Sequence, residues 1–296
     1  MKSKYKGILF ILCAALSFAV MNVFVRLSGD LPSMQKAFFR NLVALVFAYG
    51  IMKKDHVTVE WTRENVKYLI LRSFFGTVGV ICNFYAVDHL VLSDASMLNK
   101  MSPFFAIICS YIILKEKVNL IQFTSVIVAF IGCFFIVKPS FHNVDTIPAL
   151  IGLLGGICAG IAYTMVRILG KREVKGPFVV FFFSAFSCVT LLPFLIVQYE
   201  PMTRMQVFYL IMAGLAAAGG QFGITAAYFH APAKEISVYD YSQVIFAAVL
   251  GYFLFGQVPD KYSFIGYVLI CSMAVLMFLY HNNLLERKKY EKKTGH

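Results

Sequence analysis

The chain has 296 residues, of which 59% are hydrophobic and 14% charged, where soluble domains run at about 45–50% and about 25%. Mean hydropathy is +0.74. A water-soluble fold of this length cannot hide that much apolar surface, so a soluble enzyme, a DNA-binding domain and a disordered chain are excluded, and a polytopic membrane protein remains.

Met1 to Lys6 is basic and leads into an apolar run to Val25. That run is too long for the apolar region of a signal peptide and lacks a clear small-x-small cleavage site, so it counts as a first span. Ten stretches are long enough to cross a bilayer, near 7–28, 34–52, 66–88, 94–114, 118–138, 147–169, 177–198, 205–229, 235–255 and 262–282. Their length and even apolarity predict helices, since barrel strands alternate over about ten residues. The expected fold class is therefore an all-α integral membrane protein. The loops are short, and the longest, Lys53 to Asn65, carries Trp61 at the expected interface. No extramembrane domain fits between the spans.

The net charge of +12 reads as topology once its placement is followed. With the N-terminus inside, eighteen Lys and Arg fall in inside segments and four in outside segments. This bias predicts two cytoplasmic termini in the cytoplasmic membrane. The basic tail, 285–296, is then a lipid-headgroup contact or a solvated end rather than a nucleic-acid arm. Seven cysteines (Cys13, Cys82, Cys109, Cys133, Cys158, Cys188, Cys271) all lie in apolar runs without metal-ligand spacing. They read as small buried hydrophobes, and no metal or cofactor is expected.

A weak internal repeat runs at a constant offset of 141. Val25-Arg26 falls on Val166-Arg167, Gly29 on Gly170, His89 on His230 and Ser96 on Ser237. Asn99 falls on Asp240, Lys100 on Tyr241, Ser102 on Gln243 and Glu116 on Gln257. Each unit holds five spans, an odd number, so the second enters the membrane inverted. The expected units are 1–140 and 141–284.

The stretches ALSFAVMNVFVRLSG, FFRNLVALVFAYG, LRSFFGTVGVICNFYAV, DASMLNKMSPFFAIICSYIILKEKV, GGICAGIAYTMVRILGKR and ISVYDYSQVIFAAVLGYFLFGQ, in this order, resemble the EamA-type branch of the drug/metabolite transporter superfamily over about residues 7–282. The resemblance implies ten spans in two five-helix repeats. It also implies solute transport, often export, through a cavity lined by the third, fourth, eighth and ninth spans with the first and sixth. Two positions depart from the pattern. Lys100 stands where that family's fourth helix is usually neutral, and Gln257 stands opposite Glu116.

Charges within spans cost roughly 2.5–3.5 kcal/mol each on insertion scales, so they are candidates for function. Arg26 and Arg167 lie near span ends, where snorkelling to headgroups accounts for them. Arg40 and Arg72 lie about two turns in; pairing with Asp88 or Asp94 outside, or Glu235 or Asp240 inside, competes with solute contact. Lys100 lies about 9 Å into the fourth span at 1.5 Å per residue. Pro103 deprives the Asn99 carbonyl of its helical partner. Asn99, Lys100 and Ser102 thus cluster at a helix break, either around solute or around water with Lys100 paired to a carboxylate.

Tyr239, Asp240, Tyr241 and Gln243 answer from the ninth span. Asp240 neutralises Lys100 or Arg72, or carries a coupling proton. His89 and His230 sit at helix ends, as interfacial groups or titrating ones. Asn22, Asn83, Tyr163, Gln221 and Thr225 join helices or touch solute. Glu116 reads as a structural cap. Gly152, Gly156 and Gly160, with Gly219 and Gly223, read as packing stripes. The aromatic run Phe178 to Phe186 reads as lipid-facing.

These features point to a secondary carrier for a small polar metabolite. The excess of basic residues within spans favours an anionic or zwitterionic one, such as an organic acid or amino acid. Movement is expected by alternating access, with proton coupling or exchange. Alternatives are a lipid scramblase and a membrane-embedded lipid-modifying enzyme. The latter lacks a DDxxD-type metal site, an HExxH or a serine–lysine pair, and no P-loop marks a primary pump. The expected partners are a small-molecule solute and the lipid bilayer, as a monomer or homodimer.

Overall fold

The computed structural model describes residues 2–55, 62–114, 120–137, 145–230 and 237–294. These form helices, with no strand among the described residues. In chain order they are α1 (Lys2–Leu27), α2 (Ser33–Lys54), α3 (Arg63–His89), α4 (Leu92–Asn99), α5 (Ser102–Leu114), α6 (Leu120–Val137), α7 (Thr146–Lys171), α8 (Gly176–Val197) and α9 (Arg204–His230). A 3-10 turn (Ser237–Tyr241) then leads into α10 (Ser242–Phe255), and α11 (Lys261–Thr294) follows.

Seven segments are long and apolar enough to cross a membrane, in α1, α3, α7, α8, α9 and α11 and in α4–α5 taken together. Shorter apolar helices cover Phe123–Val137 and Tyr239–Phe255. The 22-residue α2 carries Lys36, Arg40, Lys53 and Lys54 and falls outside the seven. The surface is apolar, with Val46, Ile112, Phe134, Val189, Ile196 and Phe253 all exposed. Water would not tolerate patches on this scale, and lipid does. The interior holds the polar groups, among them Asn22, Lys36, Arg40, Arg72, Asn83, Lys100 and Gln243.

The fourth apolar stretch is interrupted at Lys100-Met101, between α4 and α5. Pro103 lies in the first turn of α5, where a missing N–H costs nothing. Its ring excludes the carbonyl four residues back, so the helix stops at Asn99. The ninth stretch changes character at the same point of its own course, from 3-10 to α at Tyr241-Ser242.

Four helix pairs carry most of the packing: α1 on α9, α3 on α7, α2 on α8 and α6 on α11. α5 leans on α7, α10 on α1, and α4 crosses α10. The glycines of α7 allow the interrupted helix to seat against it. A methyl group at Gly156 would stand 2.5 Å from the Leu98 carbonyl oxygen, and one at Gly160 would stand 2.6 Å from Phe105 Cβ. Close backbone approach of this kind is what small residues provide where no hydrophobic force drives helices together. Gly223 serves α1 in the same way, against Ala14 at 3.0 Å.

Near the α1–α2 turn the helix ends are tied by polar side chains. Arg26 Nη1 donates to the Val87 and Leu90 carbonyls at 3.0 and 2.5 Å, and its guanidinium lies over Phe255. Arg26 therefore caps α3, where open carbonyls collect, rather than reaching to headgroups. Gln35 and the Glu200 backbone exchange hydrogen bonds of 2.9 and 3.0 Å. Gln257 Oε1 accepts the Leu92 N–H at 3.0 Å and so caps α4. Gly256, at φ +63, lets the chain turn back there at the end of α10.

Candidate functional site

A cavity of about 100 Å³ lies in the middle of the helix bundle, room for a small solute or several waters. α2 contributes Arg40, and α3 contributes Arg72, Gly76, Gly79 and Asn83. Asn99 and Lys100 enter from the α4 break, Tyr163 from α7 and Phe183 from α8. Gln221 of α9 and Gln243 of α10 complete the polar lining, and Phe18 and Met21 of α1 add apolar wall.

Three cations thus face one small space. Arg72 lies with its guanidinium carbon 3.9 Å from the Phe183 ring centroid, and Arg40 lies 5.9 Å from the same centroid. Gly76 makes room for this stack, because a methyl group there would collide with Arg72 Nη1 and the Phe183 ring. Arg40 Nη1 donates to Asn41 Oδ1 at 2.6 Å. The Nε atoms of both arginines are buried without an acceptor. Neither guanidinium has a carboxylate within ion-pair distance among the described residues. Burying a charge costs several kcal/mol after relaxation. A desolvated cation–π contact returns about 2 kcal/mol. Among the described residues, the two guanidiniums are left without a countercharge.

Lys100 differs from the arginines in having a carboxylate. Its Nζ donates to Asp240 Oδ2 at 2.5 Å, while Asp240 Oδ1 is buried without a partner. Tyr241 donates its hydroxyl proton to the Lys100 carbonyl at 3.1 Å, which satisfies one acceptor freed by the break. The other buried lysine, Lys36, holds both oxygens of Asp88 at 2.7 Å and is fully buried away from the cavity.

The candidates named from sequence divide accordingly. Arg40, Arg72, Asn83, Asn99, Lys100, Tyr163, Gln221 and Gln243 meet at the cavity. Asp240 and Tyr241 stand behind Lys100. Asn22 lies deeper, accepting a 3.4 Å hydrogen bond from Asn83 and donating one of 3.4 Å to Ser96. Ser102 is buried at the start of α5, with its carbonyl against Gly160. Tyr239 packs instead with Ile8, Phe10 and Ile11 of α1 and edge-on to Phe278. Asp88 and Asp94, offered as partners for the arginines, are taken elsewhere: Asp88 by Lys36 and Asp94 by Ser263 and Tyr267. His89 is exposed, stacked on Tyr85. Glu235 and Glu116 lie outside the described residues, as do the side chains of Thr225 and His230.

Phe18, Met21, Gly76, Gly79 and Phe183 line the cavity without having been candidates from sequence, and Phe183, which touches both arginines, matters most. The run Phe178 to Phe186 was expected to face lipid, yet Phe178 and Phe183 are buried. The signal was the spacing of Ser184 and Ser187, both fully buried. Small hydroxyl residues in an otherwise apolar helix mark the face turned to protein.

Residues 5–138 and 146–279 each match the EamA-like transporter family. The chain belongs to that family. Among its EamA-like relatives, the pseudopaline exporter CntI of Pseudomonas aeruginosa is 31% identical over 92% of this chain and 95% of its own length. The riboflavin transporter of Vibrio cholerae is 25% identical over 90% of each chain. The S-adenosylmethionine uptake transporter of Rickettsia prowazekii is 25% identical over 98% of each. A solved crystal structure superposes with a TM-score of 0.65 over 94% of this chain and 98% of its own, at 14% identity, and shares the fold. This EamA-like protein is therefore a multi-pass membrane transporter of a small molecule.

Proposed function

We propose that this protein is a secondary carrier for a small anionic or zwitterionic metabolite, bound among Arg40, Arg72, Lys100, Asn83, Asn99, Gln221 and Gln243 and moved by alternating access. The observation that carries this reading is the charge of the cavity: three cations line it, and only Lys100 meets a carboxylate among the described residues. An anion brought by the solute supplies the countercharge that the described residues do not give the arginines.

Ten spans in two inverted units are part of the same reading, with both termini cytoplasmic. The seven apolar segments, the two shorter ones and α2 make up that number. The offset of 141 carries α1 to α7, α2 to α8, α3 to α9 and α6 to α11. It exchanges the α1–α9 and α7–α3 pairs, exchanges the α5–α7 and α10–α1 pairs, and maps α2–α8 and α6–α11 onto themselves. That is the behaviour of a twofold axis. It reaches single contacts: Gly155 meets Cys82 as Gly223 meets Ala14, and Lys100 bonds to Tyr241, its own counterpart.

Counterflow into proteoliposomes tests the proposal with glutamate, succinate, citrate and alanine, and with lysine and putrescine as cationic controls. Uptake of an anion or zwitterion that Arg72→Gln abolishes is the expected result. Uptake of the cations alone, flux unaltered in Arg72→Gln, or flipping of labelled lipid without solute flux would overturn it.

A further inference from the structure

The three cavity cations are not equivalent, and their inequality says something about the solute. Arg40 and Arg72 share one ring, so their guanidinium carbons are no more than about 10 Å apart. Both have a buried Nε without an acceptor. They are two fork-shaped donors waiting on one side of the cavity, suited to a planar carboxylate or a phosphoryl group.

Lys100 enters from the α4 break. Its partner Asp240 does not line the cavity and is held through one oxygen, while its second oxygen is buried without a donor. A carboxylate committed to a structural ion pair looks different here: Asp88 has both oxygens on Lys36. Asp240 also sits in a 3-10 turn next to a change of helix type rather than inside a regular helix. It is an incomplete partner that an incoming anion can replace.

Resting on the reading of this cavity as an anion site, we infer that the solute carries two separate anionic groups: one seated on the Arg40–Arg72 pair, the other taking the place of Asp240 on Lys100. Asp240 is then a competitor of the solute rather than a ligand for it. The same argument gives the order of preference among small molecules: a dicarboxylate or carboxylate-phosphate above a monocarboxylate, and a monocarboxylate above a zwitterion whose ammonium would face Lys100.

The test is thermal unfolding of the full-length protein in detergent at constant ionic strength, titrated with succinate, glutarate, butyrate, 4-aminobutyrate and glycerol phosphate. Succinate or glutarate is expected to bind more tightly than butyrate by roughly tenfold or more, the worth of one further charge-assisted hydrogen bond. Lys100→Met should bring the dicarboxylates down to butyrate. Asp240→Asn, which removes the competitor and keeps the shape, should tighten them. Arg72→Gln should remove all binding.

Butyrate or 4-aminobutyrate binding as tightly as succinate, still dependent on Arg72, overturns the two-group inference and leaves the proposed function standing. So does glycerol phosphate, a dianion on a single group, if it matches succinate and ignores Lys100→Met. Weaker dicarboxylate binding in Asp240→Asn overturns the displacement of Asp240. No Arg72-dependent binding by any of the five overturns both this inference and the anionic reading beneath it.

Discussion

The molecule buries charge in two ways. Near the α1–α2 turn, Lys36 is fully enclosed and holds both oxygens of Asp88, and Arg26 beside it is spent on the carbonyls that end α3. In the cavity, Arg40 and Arg72 have an aromatic face and a neutral amide for company, and Lys100 holds half of a carboxylate. Burial does not separate the two groups, since Lys36, Arg40, Arg72 and Lys100 are all buried. Completeness does. Lys36 holds both oxygens of its carboxylate, whereas Nε of Arg40 and Nε of Arg72 have no acceptor among the described residues, the place that the proposed solute fills.

Breaking the complete pair should have the largest effect on stability. Lys36→Met leaves the half-buried Asp88 without its lysine, and is expected to destabilise the fold by up to about 3 kcal/mol, the low end for a buried pair. Pairing it with Asp88→Asn should recover most of that loss, read as the unfolding midpoint in detergent. Breaking the incomplete group should do the opposite. Arg72→Gln removes a charge that no carboxylate among the described residues balances, so the unfolding midpoint should hold or rise. Transport should be lost, a fall at least as large as the tenfold to hundredfold that a charge-assisted contact of about 1.5–3 kcal/mol is worth. A fall in both stability and transport would erase the distinction.

Those outcomes bear on what the sequence can reveal. The helices were legible because apolar length is a property of a single segment. The break at Lys100 was legible because proline acts on its own backbone. The partner choices were not. Arg40, Arg72, Asp88, Asp94 and Asp240 had depths that allowed several pairings, and depth fixes height along the bilayer but not direction around the helix axis. On a helix apolar all round, such as α8, nothing but Ser184 and Ser187 told inside from outside, which is why Phe183 was missed. The meeting of Lys100 with Tyr241 was implicit in the repeat, since residues close to a twofold axis face their own counterparts.

Smaller perturbations sharpen the contrast between the two regions. Gly156→Leu forces bulk against the Leu98 carbonyl and is expected to cost about 1–3 kcal/mol by overpacking. Because it shifts the α4 break that carries Lys100 without removing any cation, it should weaken solute binding with the charge preference intact. Tyr241→Phe removes the hydrogen bond to the Lys100 carbonyl and should cost about 0.6 kcal/mol, the average for such bonds between membrane helices. The readout is the unfolding midpoint, and a shift as large as that of Lys36→Met would mean that the break itself depends on this bond.

The polar character of α2 bears on how the chain is made. Lys36 finds Asp88 on the next long helix, while Arg40 reaches its aromatic face only when Phe183 on α8 has been synthesised. Until then α2 emerges from the ribosome as a segment whose Arg40 has only the neutral side chain of Asn41 beside it. It has reason to linger in the translocon or in contact with an insertase until the rest of the polypeptide arrives, and chains truncated before α8 should leave it open to glycosylation or protease at sites that the finished protein conceals.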